Sequence, residues 1–170
     1  MRWSLHRCIK PGSLRAMEIA LFEPDQPQNT GTMLRLAACM GVAAHVIEPC
    51  GFPFSNKAFR RSAMDYADLV ELHHHMDWDS FNMTRKSAGK RLILLTTKAP
   101  GPYTEFKFAA GDILLVGSES SGAPEHVHDA ADARVTIPMA PGARSLNVAL
   151  SMAMVLGEAL RQTGLRTEGN

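Results

Sequence analysis

The sequence predicts an α/β domain, a parallel sheet with helices on both faces. Three observations carry this expectation. Strand and helix signals alternate in the order βαβα along the chain. Residues 91–97 (RLILLTT) and 112–116 (DILLV) are continuous apolar runs of the kind required by strands covered on both faces. At 170 residues and 45% hydrophobic, the chain is long enough for one sizeable core and too short for two comfortable ones.

Taken in order, residues 18–23 (EIALFE) read as the first strand. The two prolines of PDQPQNTG make that stretch an irregular loop, so the first helix is expected over about residues 30–40, with Gly41 as its stop. A short strand at 45–47 follows, then a helix near 56–64 capped by Ser55, then a strand near 68–72. Asp77 or Asp79 starts the next helix, and the two apolar runs come after it. From Ile113 the chain reads as strand, Gly-rich turn, short helix, strand, polar loop and long apolar helix. Its two loops, residues 117–122 and 138–144, fall at carboxyl ends of parallel strands, where α/β folds place their ligands. There is no internal repeat, low-complexity tract or linker.

No apolar run approaches the roughly 18 to 20 residues of a membrane span, and MRWSLHRCIKPGSLRA has basic residues without the apolar stretch of a signal peptide. A cytoplasmic protein with no membrane partner is expected. Cys8, Cys39 and Cys50 form neither an even disulfide set nor a CxxC pair, which fits a reducing compartment. The formal charge of +1 does not exclude nucleic acid, whose footprint can be a local patch. From Leu146 to Leu156 the only polar side chains are Asn147 and Ser151, on one narrow stripe. A helix apolar nearly all round needs cover nearly all round, and a second copy of the chain supplies it most easily, so a homodimer is expected.

Taken singly, most candidate residues have ordinary roles. GSESSG after a strand is a common connection, and Ser145 is well placed to cap the last helix. Arg35 in a helix is more often a solvated charge than an active-site group. His73, His74 and His75 alternate in direction if they end a strand, which argues against a metal site. His126 and His128 are expected on a surface helix, and Met152, Met154 and Cys39 in the core.

Together, EPDQPQNTGTMLRLAACMG, GSESSG and IPMAPGARSLNVA resemble the three motifs of the SpoU/TrmH family of SPOUT-class RNA 2′-O-methyltransferases. The likeness runs from Met17 to about Gly164, and three motifs in order form a signal that none gives alone. The stretches IEPCGF, FRRSAMDY and LTTK resemble the minimal branch that methylates the ribose of the wobble nucleotide, position 34, in tRNA. The resemblance implies one methyltransferase domain over residues 17–170, whose final helix threads a loop to make a deep trefoil knot, a rare exception to the rule against threading. Residues 1–16 lie outside the likeness and are expected to be a disordered extension, with Met17 as the natural start.

The resemblance further implies S-adenosyl-L-methionine as cofactor, S-adenosyl-L-homocysteine as product, and no metal. The matching cofactor positions are Leu95, Thr96, Gly117, Ile137, Met139 and Leu146, recognised mainly through backbone; Gly117 suits a close approach of main chain to ligand. The matching catalytic positions are Asn29 and Arg35 from the first motif, Glu119 from the second, and Ser145 and Asn147 from the third, with Glu119 placed to hold Arg35 or Asn29. A guanidinium with a pKa above about 12 is a poor proton acceptor, so Arg35 is expected to clamp phosphate and stabilise a developing alkoxide. For tRNA, Lys57, Arg60 and Arg61 at i, i+3 and i+4 on a predicted helix cluster positive charge, and Arg144 extends it. Close relatives often carry arginine where this turn has Ser121, and Arg144 is expected to replace that contact.

Other classes are weighed against this one. A dinucleotide-binding oxidoreductase would show GxGxxG after the first strand, and a phosphate-loop enzyme GxxxxGK[ST]; neither occurs. A non-catalytic RNA-binding or assembly factor on the same fold would be signalled by loss of Asn29, Arg35, Glu119 or Asn147, and all are present. Among methyltransferases the alternative substrate is ribosomal RNA or another tRNA position. Relatives that act on ribosomal RNA usually carry an additional amino-terminal RNA-binding domain, for which 170 residues leave no room.

Overall fold

Strands β1 (Glu18–Phe22), β2 (Ala43–Ile47), β3 (Leu72–His75), β4 (Leu92–Leu95), β5 (Ile113–Val116) and β6 (Ala133–Val135) form one sheet in the order β3-β2-β1-β5-β4-β6. Every neighbouring pair is parallel. The computed structural model describes residues 17–53 and 69–164. Within them the helices are α1 (Pro27–Met40), α2 (Trp78–Ser87), α3 (Glu125–Ala130) and α4 (Val148–Thr163).

The strands alternate side chains between two separate cores, as a period of two requires. On one face Met33, Leu34 and Ala37 of α1 and Met152, Val155 and Leu156 of α4 pack against Ile19, Leu21, Val46, Ile93, Leu114 and Val116. On the other, Trp78 and Phe81 of α2 and Val127 of α3 cover Ala20, Phe22, Ile47, Leu92, Leu94 and Leu115. Helices on both faces are thus observed, and they explain why the β4 and β5 segments read as unbroken apolar runs.

Two elements differ from expectation. Helix α1 begins at Pro27, three residues early, because proline at the first helical position loses no needed N–H and its ring presets the helical φ. Gly41 stops it as expected, at φ 66°. Strand β3 occupies Leu72–His75 and not 68–72; the histidines continue the strand because the rings of His73 and His75 stack on His45 of β2, at 4.8 and 5.2 Å. Asp77 caps α2, accepting the Ser80 N–H at 2.8 Å. The helix expected at 56–64, and Ser55, lie outside the described residues, as do residues 1–16.

Burial also corrects three single residues. Met152 is buried, but Met154 is 41% exposed, on the side of α4 it shares with Leu150. Cys39 is exposed on the outward side of α1, four residues beyond Arg35. His126 is exposed as expected and His128 is buried, because the six-residue α3 turns the adjacent positions 127 and 128 inward together. Among the described residues no helix is long and apolar enough to cross a membrane.

The histidines form a polar chain under the sheet: Lys90 Nζ donates to Glu18 at 2.5 Å, Glu18 meets His45 Nε2 at 3.0 Å, and His45 Nδ1 meets His75 Nε2 at 2.9 Å. Burial, with the neighbouring His45, His73 and His74, pushes the His75 pKa down to about 4. Between about 6.5 and about 4 the unfolded chain therefore binds a proton that the folded chain refuses, and stability falls as pH falls through that window. Urea unfolding at several pH values is expected to show this decline, with His75→Gln flattening it; an equally steep decline in the variant would exclude His75 as its source.

The carboxyl-terminal segments are closed against one another. Tyr103 N–H donates to Thr136 O at 2.9 Å and Thr136 N–H to Gly101 O at 3.1 Å, joining the connector after β4 to the one after β6. Near the end of α4, the Gln162 side-chain amide accepts the Phe108 N–H and donates to Phe106 O, both at 3.0 Å.

Candidate active site

The loops that leave β4, β5 and β6 meet the amino-terminal end of α4 around a cleft of about 380 Å³. That volume lies in the usual range of small-molecule sites. All six positions expected to hold a cofactor line it: Leu95, Thr96, Gly117, Ile137, Met139 and Leu146. Glu119, Ser145 and Asn147 line it as well. Asn29 lines a small adjoining hollow that shares Gly117 and Glu119 with the main cleft.

Three residues from segments far apart in sequence make one relay. Asn147, and not Ser145, is the N-cap of α4, its Oδ1 accepting the N–H groups of Ala149 and Leu150 at 2.9 and 3.2 Å. Ser145 lies in the loop two residues earlier, so its expected capping role passes to the residue that can reach the free N–H groups of the first turn. With its oxygen committed to the helix, the Asn147 amide can only donate outward, and it does so to Asn29 Oδ1 at 3.0 Å. This turns the Asn29 Nδ2 toward Glu119, whose Oε2 accepts from it. Of the two partners expected for Glu119, the structure thus supplies Asn29.

Asp25 was not singled out from sequence, and it reaches this site too. Its Oδ1 and Oδ2 accept the backbone N–H groups of Glu119 and Ser120, each at 3.0 Å. Burial would raise its pKa, but hydrogen bonds from Ser120 and Glu119 outweigh that and hold the carboxyl below its ordinary value. The available signal was a carboxylate at a strand end, in a chain with a Ser- and Gly-rich turn elsewhere whose N–H groups need acceptors.

Gly117 lines the cleft as expected, and the structure adds a second reason for glycine there. A Cβ placed there would stand 2.3 Å from Gly122 C and 2.4 Å from Ala123 N, so glycine is demanded by the turn folding back on itself, whatever occupies the cleft. Ser121 is part of the same closure, its hydroxyl 2.6 Å from that of Ser118.

The cationic candidates are not gathered by the described chain. Arg35 is on the exposed side of α1 and Arg144 is exposed on the loop before Ser145, and neither lines the cleft or the hollow. Lys57, Arg60 and Arg61 lie outside the described residues.

The sequence profile of the SpoU rRNA Methylase family matches residues 16–157. The chain belongs to this family. This SpoU methylase is 59% identical over 146 residues to the tRNA (cytidine(34)-2′-O)-methyltransferase of Beijerinckia indica subsp. indica, covering 86% of this chain and 91% of that protein. It is 49% identical over 148 residues to the enzyme of the same name from Ancylobacter novellus, covering 87% and 94%. Its fold superposes with a TM-score of 0.83 on a solved structure described as giving structural insights into the 2-OH methylation of C/U34 on tRNA, at 33% identity over 88% of this chain and 97% of that one. An AdoMet-bound rRNA methyltransferase from Sinorhizobium meliloti is similar at a TM-score of 0.78 and 25% identity, covering 89% of this SpoU methylase and 61% of that chain.

Proposed function

We propose that this SpoU methylase transfers a methyl group from S-adenosyl-L-methionine to the ribose 2′-hydroxyl of nucleotide 34, the wobble position, of tRNA. The observation that carries the reading is the Asn147, Asn29 and Glu119 relay at the edge of a cleft lined by all six expected cofactor positions. The shared name of the relatives at 59% and 49% identity supports the substrate.

The cleft suits the cofactor. It combines apolar walls, Leu95, Val116, Ile137 and Leu146, with hydroxyls from Thr96, Ser118 and Thr136, and among the described residues its one charged lining residue is Glu119. Among the described residues no lysine or arginine lines it, which fits a ligand that carries no phosphate, and the Glu119 carboxylate fits a cationic one. When bound, S-adenosylmethionine supplies a methyl carbon already activated by a sulfonium, so the chain's task is alignment and management of charge. Asn29 and Asn147 are held by their mutual bond and present fixed amides, and Ser145 adds a hydroxyl at the rim. Arg35 supplies positive charge from outside the cleft to RNA phosphate or to the developing alkoxide.

The decisive experiment is transfer to unmodified tRNA followed by mass-spectrometric mapping of 2′-O-methyl nucleotides. Label at nucleotide 34 that depends on S-adenosylmethionine is expected, with S-adenosylhomocysteine formed. Label on ribosomal RNA alone, or at another tRNA position, would overturn the substrate.

The same proposal includes a cytoplasmic homodimer in which RNA contacts come from Arg144 and from Lys57, Arg60 and Arg61. Support for the dimer is the apolar side of α4 left open in one chain, where Leu150 is 56% exposed and Met154 lies one turn further. Sedimentation is expected to give a dimer at micromolar concentration, and Leu150→Glu a monomer; a wild-type monomer would refute it. The closure of α4 and the β6 loop on the β4–β5 connector supports the trefoil knot as the carboxyl-terminal topology.

A further inference from the structure

We propose that Asp25 is a positioning residue for the reaction: its carboxylate grips the backbone of the 117–122 turn and thereby sets where the Glu119 side chain meets Asn29. The grip starts from a rigid base. Just beyond β1, Glu23 takes a left-handed conformation, φ 43°, which turns the chain out of the sheet. Pro24 O then accepts the Gly51 N–H at 3.0 Å, and Gly51 packs so closely that a Cβ on it would stand 2.9 Å from Asp25 Cα and 3.0 Å from Asp25 Cβ. The backbone of Asp25 is pinned between this contact and the start of α1.

From there each carboxylate oxygen takes one of two consecutive N–H groups, Glu119 and Ser120, at 3.0 Å. The turn closes itself at other points, by Gly122 N–H to Ser118 O at 2.9 Å and by the Ser118 and Ser121 hydroxyls. Neither closure uses the Glu119 or Ser120 N–H, so the orientation of the peptide that carries the Glu119 side chain falls to Asp25. Asn29, four residues on, binds the Glu119 carboxylate itself. One short segment thus holds Glu119 by backbone and by side chain, and a neutral side chain at position 25 loosens the first hold without touching the second. Each N–H has its own carboxylate oxygen, and an asparagine at position 25 offers one oxygen and sets an NH2 donor against the other N–H.

The catalytic half of this inference rests on the methyl-transfer reading of the cleft; the grip on the turn does not. Asp25→Asn and Asp25→Glu are compared with wild type in three measurements: amide exchange at Glu119 and Ser120 in ligand-free ¹⁵N-labelled protein, S-adenosylhomocysteine titration, and steady-state methylation of tRNA. In Asp25→Asn, at least one of the two amides is expected to exchange about tenfold faster or more, with kcat falling about tenfold or more while the tRNA KM and S-adenosylhomocysteine affinity stay within about threefold. Asp25→Glu keeps two acceptors and is expected to restore amide protection and most of kcat. Unchanged amides or unchanged kcat in Asp25→Asn would overturn the proposal. If that variant fails to fold, Asp25→Glu decides: protection and kcat near wild type support it, and protection without kcat overturns it. Wild-type protein inactive on tRNA would sink the substrate reading, and the amide measurement would still decide the grip.

Discussion

Gly117→Ala is expected to lose S-adenosylhomocysteine binding by about 10²-fold or more, and to melt well below wild type even without ligand. A single methyl group suffices because its neighbours are main-chain atoms: Gly122 C at 2.3 Å, Ala123 N at 2.4 Å and Gly122 O at 2.6 Å. Side chains at such distances could swing aside, but a closed turn can only open. Opening it parts the Ser118 and Gly122 backbone bond and carries Glu119 away from both Asn29 and Asp25. Overpacking of this kind costs roughly 1 to 3 kcal/mol or more, a large share of a domain's stability. Gly122→Ala is the control: its φ of 71° strains an alanine, yet nothing stands within 4 Å of the added methyl, so the loss should be about 1 to 2 kcal/mol. Melting both variants without ligand, then titrating S-adenosylhomocysteine, gives the order. If Gly117→Ala melted like wild type and lost only ligand affinity, the glycine would serve the ligand and not the turn.

The parts of the fold legible in the sequence are those set by short-range pattern. β4 and β5 fall within the runs 91–97 and 112–116 because strands covered by helices on both faces cannot alternate polar and apolar residues. Gly41 and Asp77 were readable because a left-handed stop and a carboxylate cap are local requirements. Where a long-range contact decides, the pattern misleads. The three histidines look like a strand's polar end until His45, thirty positions before His75, gives the rings of His73 and His75 a partner. The cap of α4 went to Ser145 because serine is a favoured cap, whereas Asn147 both caps the helix and holds Asn29, 118 positions away. No spacing rule joins Asn29 to Asn147, or Asp25 to Glu119. The first pair and the cofactor positions came into view through likeness to a family, and Asp25 through geometry alone.

Arg35→Ala is expected to lower methyl transfer by at least about 10²-fold while S-adenosylhomocysteine affinity stays within a few-fold. The retained affinity follows from where the residue sits, and the lost rate from the role proposed for it. Arg35 comes six positions after Asn29 on α1; at about 100° per residue, this turns it to another side of the helix from the one facing Glu119. It is exposed beside Thr32 and Cys39 and lines neither the cleft nor the adjoining hollow, so its removal leaves the cofactor's walls intact. The role proposed for it is to supply positive charge to RNA phosphate or to the charge developing on the ribose oxygen. Arg35→Lys keeps the charge but loses the planar pair of donors and should recover only part of the rate. Single-turnover methylation of tRNA and cofactor titration on the same preparations separate the two effects. Normal methylation by Arg35→Ala would remove Arg35 from the active site and leave the cleft, with its Asn147, Asn29 and Glu119 relay, as the place where transfer is organised.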